Sequence, residues 1–325
     1  MFETNKKYGI LGMARSGIAA AYKIKEMGGS AFLSELQAAS SVPESANLCD
    51  DFECEFGGHT ARLLDCDEWI ISPGIPLNIP IVTEGIKKGI PMISEIEFGF
   101  QIKAQDSKII AVTGSNGKST TSSLIYHILK EMGHKVILAG NIGDAFCGYP
   151  IHQAGIEYIV LEISSFQLDL IRSFAPEVAV LLNITPDHLN RYQSFEHYAS
   201  SKMSIFANQN EHDHAVLCFD DPQIRMREER ISSRKSYFSS VKKNETLDAW
   251  LDEVFLGFKQ NAQLSIYDLS IRGPHNYQNA MAAILAVNAM IDDITRVLDG
   301  VKGFTPLKHR LELVRTINGV SFYND

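Results

Sequence analysis

The run Ile109-Ile110-Ala111-Val112-Thr113-Gly114-Ser115-Asn116-Gly117-Lys118-Ser119-Thr120 decides how the rest of the chain is read. Ile109–Thr113 has strand character and leads into a glycine-flanked turn. The turn opens a helix whose pattern runs over Lys118–Met132, with Gly133 placed just beyond its end. That strand–turn–helix context gives Gly-Lys-Ser a phosphate-binding meaning. Glycines let successive backbone N–H groups turn toward an anion, and the helix start adds partial positive charge. Gly114, Ser115, Asn116, Gly117 and Thr120 form the loop. Lys118 would reach the β- and γ-phosphates of a nucleotide such as ATP, and the Ser119 hydroxyl would ligate Mg²⁺. One position departs from the common pattern: Val112 stands where a glycine is usual. A plain glycine-rich turn with a solvated lysine would leave the Gly-Lys-Ser placement unexplained.

Working outward, short apolar runs alternate with helical patterns on both sides of this loop. Tyr8–Leu11, Ala31–Leu33, Trp69–Ile71 and Met92–Ile93 read as strands, with helices at Ser16–Met27 and near Ile81–Lys88. Beyond the polar stretch Lys103–Lys108, a second series follows. Tyr158–Ile163 and Val178–Ile184 are near-continuous apolar runs, and Phe195–Ala207 and Asn276–Ile291 are helical. The fold class is therefore α/β: an N-terminal Rossmann-like parallel-sheet domain over residues 1–102, then a P-loop ATPase-type α/β central domain over 103–304. Arg310–Thr316 and Val320–Asn324 flank Asn318-Gly319, a strong hairpin signal, yet a lone hairpin is marginal in water. The expectation is that 305–325 holds only the first strands of a third α/β domain, leaving the chain weakly active or inactive. The 325 residues, at roughly 150 per domain, allow two domains and a fraction.

Composition narrows the class without naming a function. Thirty Lys+Arg against thirty-nine Asp+Glu leave a charge of −9, which argues against a nucleic-acid partner. No apolar run approaches the roughly 20 residues of a membrane span, and the N-terminus lacks a signal-peptide pattern. Five cysteines without a Cys-x-x-Cys pair read as reduced thiols, so a cytoplasmic protein is expected.

A nucleotide-bound Mg²⁺ calls for an acid on a neighbouring strand. Glu162 is the polar member of the otherwise apolar Ile159-Val160-Leu161-Glu162-Ile163, where a carboxylate needs a cation or another partner. In Asn183-Ile184-Thr185-Pro186-Asp187-His188, Pro186 ends a strand and leaves Asp187 and His188 at its carboxyl end, where open α/β sheets bind ligands. A neutral His188 imidazole is a competent metal ligand there. Lys202, on spacing alone, is an ordinary helix lysine with a solvated head.

The Thr-Gly-x-Asn-Gly-Lys-Ser loop resembles that of the Mur ligase and folylpolyglutamate synthetase superfamily of ATP-dependent amide-bond formers. Further stretches are similar to the Mur ligase family along essentially the whole chain. These are Ser72-Pro73-Gly74-Ile75, Gly140-Asn141-Ile142-Gly143, Glu162-Ile163-Ser164-Ser165-Phe166-Gln167-Leu168, Asp187-His188-x-x-Arg191, Tyr198-x-x-x-Lys202, Gly273-x-His275-Asn276-x-x-Asn279-Ala280 and His309-Arg310. The Ser-Ser-Phe-Gln-Leu run points to the D-glutamate-adding branch rather than to its sister ligases.

The resemblance implies two Mg²⁺ sites: Ser119 and Glu162 at one, His188 and an N-carbamylated Lys202 at the other. It implies Lys118, His188 and Lys202 as catalytic residues, Asn276 and Asn279 beside the adenine, and Arg310 approaching the nucleotide. Ala14, Arg15, Ser16, Ser72, Pro73, Gly74 and Asn141 would meet the substrate. The implied reaction joins D-glutamate to UDP-N-acetylmuramoyl-L-alanine through an acyl phosphate, in a monomer with no nucleic-acid or membrane partner. A sister Mur ligase or a folylpolyglutamate synthetase is the nearest alternative. A nucleotide-switch or binding protein would need neither His188 nor Lys202.

An NAD-dependent oxidoreductase is the rival from another class. Gly12-Met13-Ala14-Arg15-Ser16-Gly17 is a dinucleotide fingerprint with Ala14 in place of the middle glycine, and Glu35 follows at about the spacing of a ribose-binding acid. The Ala14 methyl would crowd a pyrophosphate against the loop, and this reading gives Lys118 no role. In the resembling family the domain cradles a uracil nucleotide, with Ser34-Glu35 at the end of the second strand.

Overall fold

The structure, a computed structural model, describes residues 2–43, 45–187, 191–241 and 244–305 in full, together with the backbone of 312–317 and 320–324. Strands β1 (Lys7–Leu11), β2 (Ser30–Glu35), β3 (Glu53–Phe56), β4 (Glu68–Ile71) and β5 (Met92–Ile93) form one parallel sheet in the order β3-β2-β1-β4-β5. The strand order reverses between β1 and β4. The loops carrying Gly12–Ala14 and Ser72–Gly74 therefore flank the crevice where such sheets take ligands. Helix Arg15–Glu26 buries Gly17, Ala20, Ala21 and Ile24. The sequence reading missed β3 because Glu53-Cys54-Glu55-Phe56 is polar and only partly buried, as an edge strand can be.

The second sheet contains β6 (Lys108–Thr113), β7 (Val136–Gly140), β8 (Tyr158–Glu162), β9 (Val178–Leu181), β10 (His214–Cys218), β11 (Arg234–Ser239), β12 (Ala249–Asp252), β13 (Phe255–Phe258) and β14 (Ala262–Ser265). Their order is β14-β13-β12-β11-β10-β9-β6-β8-β7. Pairings from β7 across to β12 are parallel, while β12–β13 and β13–β14 are antiparallel. The residues of β8 and β9 are buried throughout, as their apolar runs required. Helices Lys118–Glu131 and Pro274–Ile291 pack on each other over this sheet. Because β6 lies between β8 and β9, the phosphate-type loop after β6 meets the loops after both neighbours.

Two sequence-read boundaries shift by about three residues or more. The helix expected over Phe195–Ala207 is α-helical only to Met203 and continues as a 3-10 turn over Ser204–Phe206. The apolar run to Ile184 is strand only to Leu181, because Leu182–Thr185 turns to meet the loop after β6. The hairpin is present as β15 (Glu312–Ile317) against β16 (Val320–Asn324), and its Asn318-Gly319 turn lies outside the described residues. No described helix is long and apolar enough to cross a membrane.

Between the sheets, helix Glu95–Ile102 starts at Ser94, whose hydroxyl accepts from the Glu97 N–H at 3.2 Å. The fully buried Glu97 carboxylate accepts from the backbone N–H groups of Arg172, Ser173 and Phe174, at 2.8 to 3.1 Å, and from the Ser173 hydroxyl and Gln101 Nε2. One side chain thus fastens the connecting helix to the loop before β9. Glu97→Gln puts an amide N–H₂ in front of these donors. It should lower unfolding stability by about 2–4 kcal/mol in urea denaturation; a loss within the experimental error would contradict this anchoring.

Candidate active site

The loop after β6 is shaped by close approach. Gly117 ends it at φ +85°, and a Cβ there would strike Asn279 Oδ1. The loop after β9 holds it in register. Ser115 N–H donates to Asn183 O at 3.0 Å, Asn116 N–H to Asn183 Oδ1 at 2.8 Å, and Asn183 Nδ2 back to Asn116 O at 3.1 Å. The Ser115 hydroxyl donates to Thr185 O at 3.0 Å, accepts from Thr185 N–H and lies 2.9 Å from Tyr198 OH. Asp221 fixes the far side, accepting from Ile184 N–H at 2.7 Å while capping helix Pro222–Arg225. Asn183, Thr185 and Asp221 were not picked out as site residues from the sequence, because their role depends on β9 lying beside β6.

Both predicted lysines converge on this loop. Lys118 Nζ donates to Gly114 O and Ser115 O, each at 2.9 Å, and Lys202 Nζ donates to the same Gly114 O at 2.8 Å. Lys202 is only 2% exposed, and its ammonium lies 4.8 Å from the centre of the Tyr198 ring. The reading of Lys202 as a solvated helix lysine is therefore wrong. Burial, and next the nearby Lys118 charge, pull its pKa down to about 7, with Asp187 acting the other way.

Glu162 ends β8 beside β6, paired in register with Val112. It is buried, its Oε1 accepts from Asn141 Nδ2 at 2.7 Å, and its buried Oε2 has no hydrogen-bond donor among the described residues. A bound cation would complete a carboxylate in that condition. Asn141 is positioned by Gly140, which sits at φ +101° where a Cβ would collide with Glu162 O. Ser119 is buried in the first turn of the helix that opens with Lys118. Among the described residues, no group of three or more His, Cys, Asp and Glu side chains makes a metal centre. The predicted set instead leans on a hydroxyl and on Lys202. His188 and Arg310 lie outside the described residues.

A cavity of about 530 Å³ opens beside the loop, lined by Asn116, Gly117 and Thr120 together with Asn276, Gln278, Asn279 and Asp220. Asn279 Nδ2 donates to Asn276 Oδ1 at 3.3 Å, and Asn276 Nδ2 donates to Arg272 O at 2.9 Å.

At the first sheet, Ala14 precedes helix Arg15–Glu26, Ser16 lies in its first turn, and the Ser72 hydroxyl donates to Gly12 O at 2.9 Å. Pro73 and Gly74 follow in the loop after β4. Arg15 reaches the second sheet: Nη2 donates to Gly140 O at 3.1 Å and Nη1 donates to Gly143 O. Arg191 bridges the other way, donating to Gly74 O and Ile75 O while its guanidinium lies 4.2 Å from the Phe166 ring centre. Glu35 does not stand free as a ribose-binding acid. Its two oxygens accept from Met13 N–H at 2.7 Å and Gln37 N–H at 3.0 Å.

A phosphate-type loop at the switch point of one parallel sheet, joined to a Rossmann-type sheet by side chains crossing both ways, defines the class. The chain belongs to the Mur ligase family: the Mur ligase middle domain matches residues 112–287, and the MurD N-terminal domain matches 7–78. Its relatives include the UDP-N-acetylmuramoylalanine--D-glutamate ligase of Salinibacter ruber, 37% identical over 97% of this chain and 71% of that protein. The ligases of the same name from Alkaliphilus metalliredigens and a Geobacillus species are 34% and 35% identical over 99% and 100% of this chain, and 72% of each relative. Among solved structures, the UDP-N-acetylmuramate:L-alanyl-gamma-D-glutamyl-meso-diaminopimelate ligase from Neisseria meningitides shares the fold. Its TM-score is 0.64 at 17% identity, over 93% of this chain and 99% of that one. MurC from Thermotoga maritima has a TM-score of 0.60 at 20% identity, over 99% of this chain and 74% of that one.

Since folding disfavours the charged form of Lys202, it carries a penalty that is full below about pH 7. The penalty fades as pH rises toward the ordinary lysine value of 10.5. Lys202→Met should therefore be more stable than wild type at pH 6, by roughly 2 kcal/mol or more, with the gap narrowing toward pH 10. Parallel stability curves from pH 6 to 10 would refute the buried charge.

Proposed function

We propose that this chain is an ATP-dependent acid–amino-acid ligase that adds D-glutamate to UDP-N-acetylmuramoyl-L-alanine in peptidoglycan precursor synthesis. The observation that carries the reading is the convergence of Lys118 and Lys202 on Gly114 O, within a loop laced to Asn183 and Thr185. The relatives, named as UDP-N-acetylmuramoylalanine--D-glutamate ligases, support the substrates. The proposed division is 1–102 for the UDP-substrate, 103–304 for ATP and 305–325 as the start of a third domain, in a monomeric cytoplasmic protein.

In this reading the backbone N–H groups at the helix start after Gly117, together with the Lys118 ammonium, hold the β- and γ-phosphates. The substrate's L-alanine carboxylate attacks the γ-phosphorus, ADP leaves, and an acyl phosphate results. The D-glutamate amine then adds to that carbonyl carbon, and the tetrahedral adduct expels phosphate to leave the amide. Mg²⁺, when bound, supplies charge compensation for these anions. Ser119 and Glu162 would hold one ion, and His188 with Lys202 the other. Asn276, Asn279 and Arg310 would lie along the nucleotide. Asn141, Ala14–Ser16 and Ser72–Gly74 would line the path of the UDP-substrate.

A pKa of about 7 leaves a large neutral fraction of Lys202 at physiological pH. A neutral amine can attack CO₂ and lose a proton to give a carbamate, an oxygen ligand that hard cations accept. Under ¹³C-bicarbonate, a carbamate carbon resonance should appear in wild type and be missing in Lys202→Met; the same signal in both would remove this role.

Calorimetric titration tests the main proposal. MgATP and UDP-N-acetylmuramoyl-L-alanine should each bind, NAD should not, and Lys118→Ala should weaken MgATP by about tenfold or more. Binding of NAD without MgATP would overturn the ligase reading.

A further inference from the structure

The run Ser164-Ser165-Phe166-Gln167-Leu168, which points to one branch of the family, has no part in the phosphate chemistry. In the fold it forms the short helix Ser165–Leu168, closed at its start by a capping box between Ser164 and Gln167. Asp169 follows as the C-cap of this helix, and its carboxylate reaches two hydroxyls. Oδ1 accepts from the Ser201 hydroxyl at 2.6 Å, and Oδ2 accepts from Tyr192 OH at 3.0 Å. Ser201 Oγ also lies 2.9 Å from Ser165 O, so one hydroxyl meets both ends of the short helix. Ser201 and Tyr192 are each only 6% exposed, and a carboxylate acceptor makes a strong tie to such sheltered hydroxyls.

Ser201 immediately precedes Lys202, near the end of helix Phe195–Met203, which passes into a 3-10 turn at Ser204. The ends of helices are the parts that open most readily. Successive side chains on a helix leave it about 100° apart, so a fixed Ser201 sets the direction in which Lys202 departs. That direction needs holding. The Lys202 ammonium is buried and shares Gly114 O with the Lys118 ammonium, and water would draw it out. Tyr192 adds a second route to the same place. Its ring meets that of Tyr198 edge-on with centroids 5.3 Å apart, and the Lys202 ammonium lies over the Tyr198 ring.

We infer that Asp169 is a positioning residue: by holding Ser201 and Tyr192 it keeps Lys202 on the loop after β6 and out of solvent. The catalytic meaning of this placement rests on the proposed role of Lys202, whereas the placement itself does not. Without the Asp169 carboxylate, the last turn of helix Phe195–Met203 opens and the lysine head leaves for water.

A short pulse of N-hydroxysuccinimidyl acetate in buffer purged of CO₂, read by peptide mass spectrometry, reports which lysines are reached. In the wild-type 325-residue chain, Lys202 should label at least about tenfold more slowly than the exposed Lys259. Asp169→Ala and Ser201→Ala should each speed Lys202 by about fivefold or more and leave Lys259 unchanged. Lys23, buried on the helix Arg15–Glu26, should stay protected in both, which separates local release from general loosening. The double variant should label within about twofold of the faster single one, because both substitutions remove one tie. Ser201→Thr keeps the hydroxyl and should keep the protection. Thermal unfolding checks that each variant is folded, and Ser201→Ala decides alone if Asp169→Ala is not. A Lys202 that labels as readily as Lys259 in wild type, or stays protected in the folded variants, overturns the inference, as do rates that multiply in the double variant. Under ¹³C-bicarbonate the wild-type carbamate signal should fall in Asp169→Ala. A wild type with no such signal would remove the carbamate role of Lys202 and leave the labelling result to decide the role of Asp169.

Discussion

Two ammonium groups share one carbonyl oxygen, that of Gly114, and much of the central sheet is arranged around this crowded point. Burial of Lys202, and next the nearby Lys118 charge, disfavour its ammonium and pull its pKa down. Several groups offset the strain: the Tyr198 ring near the Lys202 ammonium, the Ser115 hydroxyl tied to Tyr198 and Thr185, and the Asn183 clamp on Asn116. The result is a concentrated positive site on a protein whose overall charge is −9. Net charge describes the surface, and the field inside a cleft is set by a few desolvated groups.

What the sequence disclosed follows the range of the interactions. The run Ile109–Thr120 was legible because its strand, turn and helix start are contiguous, so local pattern and function coincide in twelve residues. The fully buried β8 and β9 were legible from unbroken apolar runs. Strands β10 to β14 were not read: β11 begins with the polar run Arg234-Lys235-Ser236, and β13 contains Gly257, packed against Trp250. Lys202 was misread on spacing, because nothing in a helix of modest amphipathicity tells that one face meets the Gly114 loop. Asn183, Thr185 and Asp221 act through a sheet order that departs from chain order. The partners of Arg15 lie more than 120 residues away, so no local pattern could supply them.

Glu35 shows how an incomplete motif is resolved by its neighbours. The dinucleotide fingerprint and its distant acid were both real as patterns. In the folded chain that acid instead takes the Met13 and Gln37 N–H groups and so stiffens the turn after β1. The same turn is tied to the loop after β4 through Ser72, and Arg15 and Arg191 carry its position across to the second sheet. With Glu97 anchoring the connecting helix, the two sheets are joined by backbone carbonyls and N–H groups more than by charge pairs.

Gly117 and Gly140 add a different kind of constraint. Each lies where a single carbon would overlap Asn279 or the Glu162 carbonyl, and each sits at positive φ. Most lesions in a protein are graded and can be compensated by surplus stability elsewhere. At Gly140 the fault would be one of occupied volume against backbone, which surplus stability elsewhere does not relieve; at Gly117 the Asn279 amide can swing aside, and the left-handed φ carries the constraint. A more robust version of this protein would thus be no more tolerant at Gly140, and its mutational freedom would end abruptly there.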